Sequence, residues 1–298
     1  MPLDMDYNMI PETLLLESVQ KNVTAALDED LGPGDVTASL IDKNPLITAN
    51  VISRQNAVFC GKFWVEETAR QLDTKINLKW IVDDGDQIVS DQLLFSLSGP
   101  AQSILSAERT ILNFCQLLSG TATKAYHYAQ YVDQKSTQIL DTRKTLPGLR
   151  IAQKYAVQCG GCTNHRLGLF DAYLIKENHI ISCGGIFNAV KTAKEKHADL
   201  KIEVEVENIE ELLEAIDAGA DIAMIDNFSS DMTNQAVEIA NGKIKLEASG
   251  GIDLDSIAKI SATGVDYISV GALTKEITPI DLSMRFEEQI LGSSAGAK

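Results

Sequence analysis

The sequence predicts an α/β fold in which an open α+β unit precedes an incomplete α/β barrel. After Ser136, six short apolar runs of strand type are each followed by a helical pattern, and the later runs lie roughly 22 residues apart. Strand alternating with helix at this spacing is typical of parallel βαβ units, and six units in succession favour a barrel. A doubly wound open sheet is the alternative fold.

The chain before Ser136 lacks this repeat. Apolar residues at helical spacing predict a helix over residues 1–30, and a turn cluster rich in Gly, Pro and Asp follows at 30–37. Short strands then surround a helix near 62–72, and residues 101–132 are predicted to form one or two helices. The predicted strands are 48–52, 57–59, 76–81 and 93–97.

Bulk composition favours a soluble, cytoplasmic metabolic protein. The formal net charge of -16 argues against general nucleic-acid binding. No apolar run reaches the roughly 18 residues that a membrane span needs, and the N-terminus is acidic where a signal peptide is basic. The five cysteines are odd in number and too sparse for a disulfide scaffold, so reduced thiols are expected.

Cations concentrate between residues 139 and 180 of this acidic chain. They are Arg143, Lys144, Arg150, Lys154, Arg166 and Lys176. A local positive region in an acidic protein marks the place where an anion binds.

Polar residues or glycines follow each predicted barrel strand. The strands are 138–140, 172–175, 201–204, 222–225, 244–246 and 267–270. After them come, in order, Arg143-Lys144, Lys176, Glu205, Asp226, Ser249-Gly250-Gly251 and Gly271-Ala272. Because the carboxyl ends of barrel strands converge on the active site, we expect these residues to face one another.

The two glycine loops, 249–251 and 271–272, are predicted to bind a phosphate group. Glycine lets the backbone approach an anion closely, and the loops after the last two barrel strands commonly hold phosphate. The simpler interpretation is that these glycines only turn a strand into a helix.

Glu205 and Asp226 lie on successive strand ends and could hold a divalent metal or the hydroxyls of a sugar. An internal salt bridge with Lys176 is the structural alternative, and the two roles are compatible.

The C-x-x-C pair, His165 and Arg109 each have both a functional and a simpler structural interpretation. Cys159 and Cys162 form a C-x-x-C pair near His165, but Arg166 and Lys176 would repel a cation there. His165 could serve as a hydrogen-bond donor to an anionic ligand or as a structural histidine. On composition alone, Arg109 is a solvated or capping cation.

The motifs together resemble the quinolinate phosphoribosyltransferase family, the decarboxylating nicotinate-nucleotide pyrophosphorylases, over nearly the whole chain. They are Glu29-Asp30, 34–37, 108–110, Asp141 to Arg150, Cys159-Gly160-Gly161, Asn164-His165-Arg166, 174–179, 203–207, 225–227, 248–252 and 270–272.

The resemblance implies an N-terminal open α/β sandwich plus an incomplete (β/α) barrel. The sandwich with its helical connection would span residues 1–120, the barrel 121–275, and a C-terminal helix over 276–298 would pack back on the N-terminal domain. It also implies a homodimer with shared active sites, with larger assembly left open.

The implied activity is that of a glycosyltransferase of the pentosyltransferase class, nicotinate-nucleotide diphosphorylase (carboxylating). Quinolinate and 5-phosphoribosyl 1-diphosphate would give nicotinate mononucleotide, diphosphate and CO2 on the route to NAD, with Mg2+. A related phosphoribosyltransferase with another anionic acceptor, of the molybdenum-transport-associated type, is the alternative. A non-catalytic phosphosugar-binding protein is a third hypothesis.

The resemblance also assigns site residues. Arg143, His165, Arg166 and a partner's Arg109 would bind the two quinolinate carboxylates, with Lys144 and Lys176 alongside. Glu205 and Asp226 would bind ribose and Mg2+, and Lys144, Lys176, Glu205 and Asp226 would be catalytic. The 5-phosphate would lie against Ser249, Gly250, Gly251, Val270, Gly271 and Ala272.

Two positions depart from the family pattern: Cys162 stands where a third glycine is usual, and Leu146 where threonine is common. Neither departure removes a charged site residue.

Overall fold

The computed structural model of the protein describes residues 10–41, 45–133 and 136–287. The chain divides into two compact units. Among these described residues, those within 12–120 and 278–287 form the N-terminal unit, and those within 121–277, with Ile10 and Pro11, form the barrel unit. Within these described ranges, no helix is long and apolar enough to cross a membrane.

Helices and antiparallel strands form the N-terminal unit. Its elements are α1 (Glu12–Leu31), a 3-10 turn (Ala38–Leu40), β1 (Leu46–Ser53), β2 (Ala57–Val58), α2 (Lys62–Leu72), β3 (Asn77–Trp80), β4 (Gln87–Ile88), β5 (Leu93–Pro100) and α3 (Ala101–Ala129). The predicted helix at 62–72 is confirmed, and residues 101–129 form one helix. The predicted first helix begins at Glu12, and its residues 1–9 lie outside the described ranges.

An aromatic cluster fills the core of the N-terminal unit. Strands β1 and β5 pair antiparallel along their length, and β3 pairs with the other edge of β5. Phe95 on β5 is fully buried, with its ring centre 4.6 Å from that of Trp80 and 6.3 Å from that of Phe59. Such aromatic pairs stabilise a fold beyond the area that they bury.

The barrel unit follows the predicted alternation of strand and helix. Its elements are β6 (Gln138–Leu140), α4 (Arg150–Cys159), β7 (Tyr173–Ile175), α5 (Glu177–Cys183), α6 (Ile186–Lys196), β8 (Ile202–Val206), α7 (Ile209–Ala218), β9 (Ile222–Asp226), α8 (Ser230–Ala240), β10 (Lys245–Ser249), α9 (Ile257–Ser261), β11 (Tyr267–Ser269) and α10 (Ala272–Lys275).

The six strands form one parallel sheet in the order β6-β11-β10-β9-β8-β7. Leu140 also makes an isolated parallel bridge with Thr163, so residue 163 extends the sheet beyond β6. The predicted parallel α/β architecture is therefore confirmed.

Alternation along the strands separates an aliphatic face from a polar one. On β8, Ile202, Val204 and Val206 belong to the large aliphatic core of this unit. Glu203 and Glu205 point to the opposite face, because successive side chains of a strand alternate. By the same alternation, Glu247 and Ser249 share one face of β10, and Met224 and Asp226 share one face of β9. The sheet therefore directs its polar side chains to one common face.

The end of the described chain corrects one prediction. Residues 282–286 form a strand, β12 (Leu282–Phe286), where a C-terminal helix over 276–298 was expected. This strand pairs antiparallel with β1, and Leu282 is buried in the N-terminal core. The ladder satisfies backbone groups that β1 would otherwise leave unpaired at its edge. Residues 288–298 lie outside the described residues.

Gly160 gives a stability prediction for the barrel unit. A Cβ on Gly160 would collide with the carbonyl oxygen of Ala122 and lie 2.5 Å from the Cβ of Ala125, although its φ of -80° suits any residue. Because these atoms belong to the backbone of helix α3 or are fixed to it, Gly160→Ala should cost about 3 kcal/mol of unfolding free energy in urea titrations.

The matched control is Gly242→Ala, where φ is +76° and a Cβ would meet no atom within 4 Å. Backbone conformation alone should cost about 1 kcal/mol there. Equal losses for the two variants would contradict the close packing of Gly160 on α3.

Candidate active site

A cavity of about 800 Å³ lies at the carboxyl ends of the barrel strands, within the barrel unit. Its walls contain twelve of the fourteen residues that sequence reasoning selected: Arg143, Lys144, His165, Arg166, Lys176, Glu205, Asp226, Ser249, Gly250, Gly251, Gly271 and Ala272. The volume falls in the range of small-molecule sites. The residues that follow the predicted strands therefore lie around one cavity, as expected, together with His165 and Arg166, which the resemblance assigned to the site.

Val270 and Arg109 are the two selected residues that do not line this cavity. Val270 belongs to the barrel core with 1% of its surface exposed, and its N–H donates to the carbonyl of Leu140 at 2.9 Å. Arg109 is exposed on α3 in the part of that helix that belongs to the N-terminal unit.

The loop after β10 requires glycine for two separate reasons. Gly250 and Gly251 have φ values of +102° and +56°, which disfavour other residues. In addition, a Cβ on Gly250 would collide with the side-chain oxygen of Asn227. The N–H of Asn227 donates to the carbonyl of Ser249 at 3.1 Å, which ties the ends of β9 and β10 together. Bare backbone consequently faces the cavity at this loop.

The loop after β11 is similarly close to a site residue. A Cβ on Gly271 would lie 3.2 Å from Cδ of Lys144. The hydroxyl of Thr274 on α10 donates to the carbonyl of Lys144 at 2.8 Å, so the loop after β6 is joined to the helix that follows β11. A larger residue at position 271 would displace the Lys144 side chain.

Two arginines share one part of the cavity wall. Burial lowers the pKa of Arg166, and the nearby charge of Arg143 lowers it further. Arg166 donates to a neutral carbonyl, that of Ala172, at 3.2 Å. Nε of Arg143 is buried without a hydrogen-bond partner among the described residues. Two guanidinium groups that repel each other beside a cavity favour a ligand with negative charge.

Glu205 and Asp226 supply carboxylates on the same cavity. Glu205 forms an ion pair with Lys176, as the structural alternative predicted. Asp226 ends β9, and its Oδ2 accepts a hydrogen bond from the side chain of Asn227 at 2.9 Å. Both residues offer hard oxygen donors, and Mg2+ is typically bound by one or two carboxylates together with phosphate oxygens and water. The donor set therefore fits Mg2+.

His165, which precedes Arg166 in the chain, forms a buried cluster with two carboxylates. Nε2 of His165 is 3.0 Å from Oε2 of Glu203 and 3.4 Å from Oε2 of Glu247. Burial and the charge of Glu247 raise the pKa of Glu203 to about 7. Burial opposes the ionisation of Glu247 as well, but the charge of His165 and the hydrogen bonds to Glu247 together outweigh burial and lower the pKa of Glu247.

The hydrogen bonds of His165 settle where its proton lies. The N–H of Arg166 donates to Nδ1 at 2.7 Å, so the neutral ring carries its proton on Nε2, toward the two carboxylates. Burial alone would lower the pKa of His165, but the two nearby carboxylates outweigh burial and raise the pKa to about 10. A second ring proton would also require the Arg166 hydrogen bond to open.

In both protonation states Nε2 holds a proton and offers no lone pair to a metal. The cluster of His165, Glu203 and Glu247 is therefore suited to hydrogen bonding rather than to metal binding. Zinc binding by Cys159, Cys162 and His165 is disfavoured for the same reason, and the thiol of Cys162 instead donates to the carbonyl of Ala125 at 3.3 Å.

Sequence reasoning missed several residues that line the cavity. They are Tyr128, Thr142, Leu174, Met224, Asn227, Glu247, Ile252, Asp253, Ser269, Lys275 and Glu276. Glu247 had a signal that could have revealed it, because it precedes the strand-end residue Ser249 by two positions and so shares its face. Tyr128 had no such signal, since it lies on helix α3 with the apolar residues of the core.

Two family models match successive parts of the chain. The model described as "Quinolinate phosphoribosyl transferase, N-terminal domain" matches residues 35–119, and the one for the C-terminal domain matches residues 121–285. Together they span more than four fifths of the sequence.

Curated relatives and solved structures agree with these matches. The chain is 41% identical over 257 residues to a probable nicotinate-nucleotide pyrophosphorylase [carboxylating] of Bacillus subtilis, covering 86% of this chain and 89% of that protein. It is 35% identical over 286 residues to a quinolinate phosphoribosyltransferase [decarboxylating] of Nicotiana tabacum, covering 89% and 81%.

The structure of the nicotinate-nucleotide pyrophosphorylase from Francisella tularensis is similar with a TM-score of 0.88 and 48% identity, covering 94% of this chain and 99% of that one. The enzyme of the same name from Ehrlichia chaffeensis has a TM-score of 0.85 and 34% identity, covering 94% and 100%. On this evidence the chain belongs to the quinolinate phosphoribosyltransferase family.

Proposed function

We propose that this protein transfers the phosphoribosyl group of 5-phosphoribosyl 1-diphosphate to quinolinate and releases nicotinate mononucleotide, diphosphate and CO2. One observation carries the proposal: a single cavity has Arg143 and Arg166 in one part of its wall, and Glu205, Asp226 and two glycine loops in the others. This distribution suits a dicarboxylate beside a phosphosugar. The names of the curated relatives support the same reaction.

The acceptor half of the site would bind both carboxylates of quinolinate. The planar guanidinium groups of Arg143 and Arg166 can each bind a carboxylate in a bidentate manner. His165 lines the same cavity, and Lys144 and Lys176 add positive charge. Bound this way, quinolinate replaces the repulsion between two arginines with two charge-assisted contacts.

The donor half would hold the phosphoribosyl group. The backbone of the loops at 249–251 and 270–272 would bind the 5-phosphate, while Glu205 and Asp226 would bind ribose hydroxyls. As the bond to diphosphate breaks, positive charge develops on the ribose, and these two carboxylates would stabilise it. Glu205 and Asp226 would also hold Mg2+, which when bound neutralises charge on the diphosphate leaving group.

The reaction needs little general acid or general base catalysis by the protein. The ring nitrogen of quinolinate forms a bond to C1 of ribose while diphosphate leaves. The carboxylate next to that nitrogen then departs as CO2, and its bonding electron pair stays on the ring carbon, which takes up a proton. The cationic ring stabilises this electron pair, so the protein acts by orienting the reactants and balancing their charge.

The functional unit is proposed to be a homodimer in which Arg109 of the partner subunit completes the carboxylate site. The exposure of Arg109 on α3 is compatible with a contact to a second chain. Assembly beyond the dimer and a cytoplasmic location stay predictions.

Direct assay tests the proposed reaction. Purified protein is incubated with Mg2+, phosphoribosyl diphosphate and quinolinate, and nicotinate mononucleotide and CO2 are followed by mass spectrometry, with nicotinate as a parallel acceptor. We expect product from quinolinate alone. Turnover of another anionic acceptor with none of quinolinate would support the alternative transferase instead.

The roles of Lys144 and Glu205 predict a loss of turnover without a loss of fold. Lys144→Ala and Glu205→Ala should each lower kcat by at least about 100-fold, since each removes charge that acts on the reacting groups. The thermal midpoint should stay within a few degrees of wild type, because Lys144 is exposed and Glu205 only half-buried.

Lys191→Ala is the matched control, because Lys191 is exposed on α6 in a 4.0 Å pair with Glu195. Normal turnover in both site variants would contradict the assignment of these residues.

Mixing experiments test the shared site. Arg109→Ala and Glu205→Ala should each be nearly inactive alone, whereas an equal mixture after subunit exchange should regain about a quarter of wild-type activity, because half of the dimers are hybrids with one intact site. Each variant mixed with itself is the control. An exchanged mixture without recovered activity would argue against a site completed by Arg109 of the partner subunit.

A further inference from the structure

Lys154 is a fully buried lysine, which is rare for this residue type. It lies on α4, and its ammonium group forms an ion pair with Asp141, whose side chain is also fully buried just after β6. Burial lowers the pKa of Lys154 and raises that of Asp141, so the environment disfavours both charges. Neither residue lines the cavity.

The ion pair is bonded to the backbone on both sides of His165. The ammonium of Lys154 donates to the carbonyl of His165 at 2.8 Å, and Oδ1 of Asp141 accepts from the N–H of His165 at 2.9 Å. The side chain of Asn164 donates to Oδ2 of Asp141 at 2.7 Å and to the carbonyl of Lys154 at 2.8 Å. Both peptide groups of His165 are therefore held by two opposite charges.

The same contacts control the position of Arg166. Its N–H donates to Nδ1 of His165 at 2.7 Å, so the orientation of the imidazole and the start of the Arg166 backbone depend on each other. The carbonyl bound by Lys154 belongs to the peptide that joins His165 to Arg166. Rotation of that peptide would move the Arg166 guanidinium relative to Arg143.

Stability alone does not explain why this pair is charged. A buried ion pair costs desolvation energy, and apolar residues of similar volume are often as stable or more so. What an apolar pair cannot do is bond to the peptide N–H and carbonyl of His165, and misplacement of a binding group by about 1 Å is enough to reduce function greatly.

We infer that Lys154, held by Asp141, is a positioning residue for the acceptor subsite, which fixes His165 and Arg166 for binding a carboxylate. The inference rests on the proposed function. It predicts a selective effect: loss of the pair should weaken quinolinate use and spare phosphoribosyl diphosphate, because the ion pair bonds to the 164–166 segment and not to the glycine loops.

The test compares Lys154→Met with the double variant Lys154→Met/Asp141→Asn. The single change leaves a buried carboxylate without its counter-charge and should lower the thermal midpoint strongly, by more than about 5 °C. The double change removes both charges and should recover most of that loss. Yet the double variant should keep a KM for quinolinate raised by about 10-fold or more, with a KM for phosphoribosyl diphosphate within about 2-fold of wild type.

A double variant that recovers both the thermal midpoint and the quinolinate KM would overturn the inference, since the pair would then be purely structural. Equal increases in both KM values would overturn it as well. If the double variant does not fold, Lys154→Met/Asp141→Leu takes its place, because an apolar pair leaves no buried charge and cannot bond to the peptide groups of His165. A selective rise in quinolinate KM supports the inference, and any other result overturns it.

The matched control is Lys245→Met/Asp266→Asn. This ion pair, 2.7 Å between Nζ and Oδ1, lies at the amino end of β10, away from the cavity. Neither KM should change. Wild type assayed in parallel separates the two hypotheses: no wild-type turnover of quinolinate means that the proposed function fails, whereas normal wild-type turnover with unselective variants means that only the positioning role fails.

Discussion

Charge balance on the polar face of the parallel sheet is the constraint on which the site depends. Lys154 neutralises Asp141, Lys176 neutralises Glu205, and His165 lies between Glu203 and Glu247. Among the described residues that line the cavity, Arg143, Lys144 and Arg166 are cations without a carboxylate in ion-pair distance, and the two guanidinium groups are near enough to repel each other. An acidic protein thus presents a positive surface at one point of its interior, where a small dianion can supply the missing partners.

The buried charges make the barrel unit sensitive at a few positions. Removing one member of a buried ion pair typically costs about 3–5 kcal/mol, which is a large part of the net stability of a domain. The aliphatic core on the other face of the sheet offsets the free energy that these buried charges cost. Val204, Ile225 and Leu246 are almost fully buried there. One face of each strand thus stabilises the fold, and the other face carries the chemistry.

Sequence reasoning recovered the barrel and most of its site because both depend on local rules. Strand-end residues such as Lys176 and Asp226 can be found from an apolar run and the position after it. The network of Asp141, Lys154 and Asn164 could not be found in this way, because its bonds join a strand end, a helix and a loop that are separate in the sequence. The C-terminal helix that the resemblance implies is absent over 282–286, where β12 pairs with β1 across more than 200 positions of the chain, a contact that no local pattern indicates.

We propose above that Arg143 and Arg166 bind the carboxylates of the acceptor. A crystal structure of the protein with bound quinolinate tests it most directly. The account predicts the two carboxylates within hydrogen-bond distance of the Arg143 and Arg166 guanidinium groups, with the ring nitrogen directed toward the side of the cavity that holds Glu205 and Asp226. Quinolinate bound against the glycine loops, or away from both arginines, would contradict it.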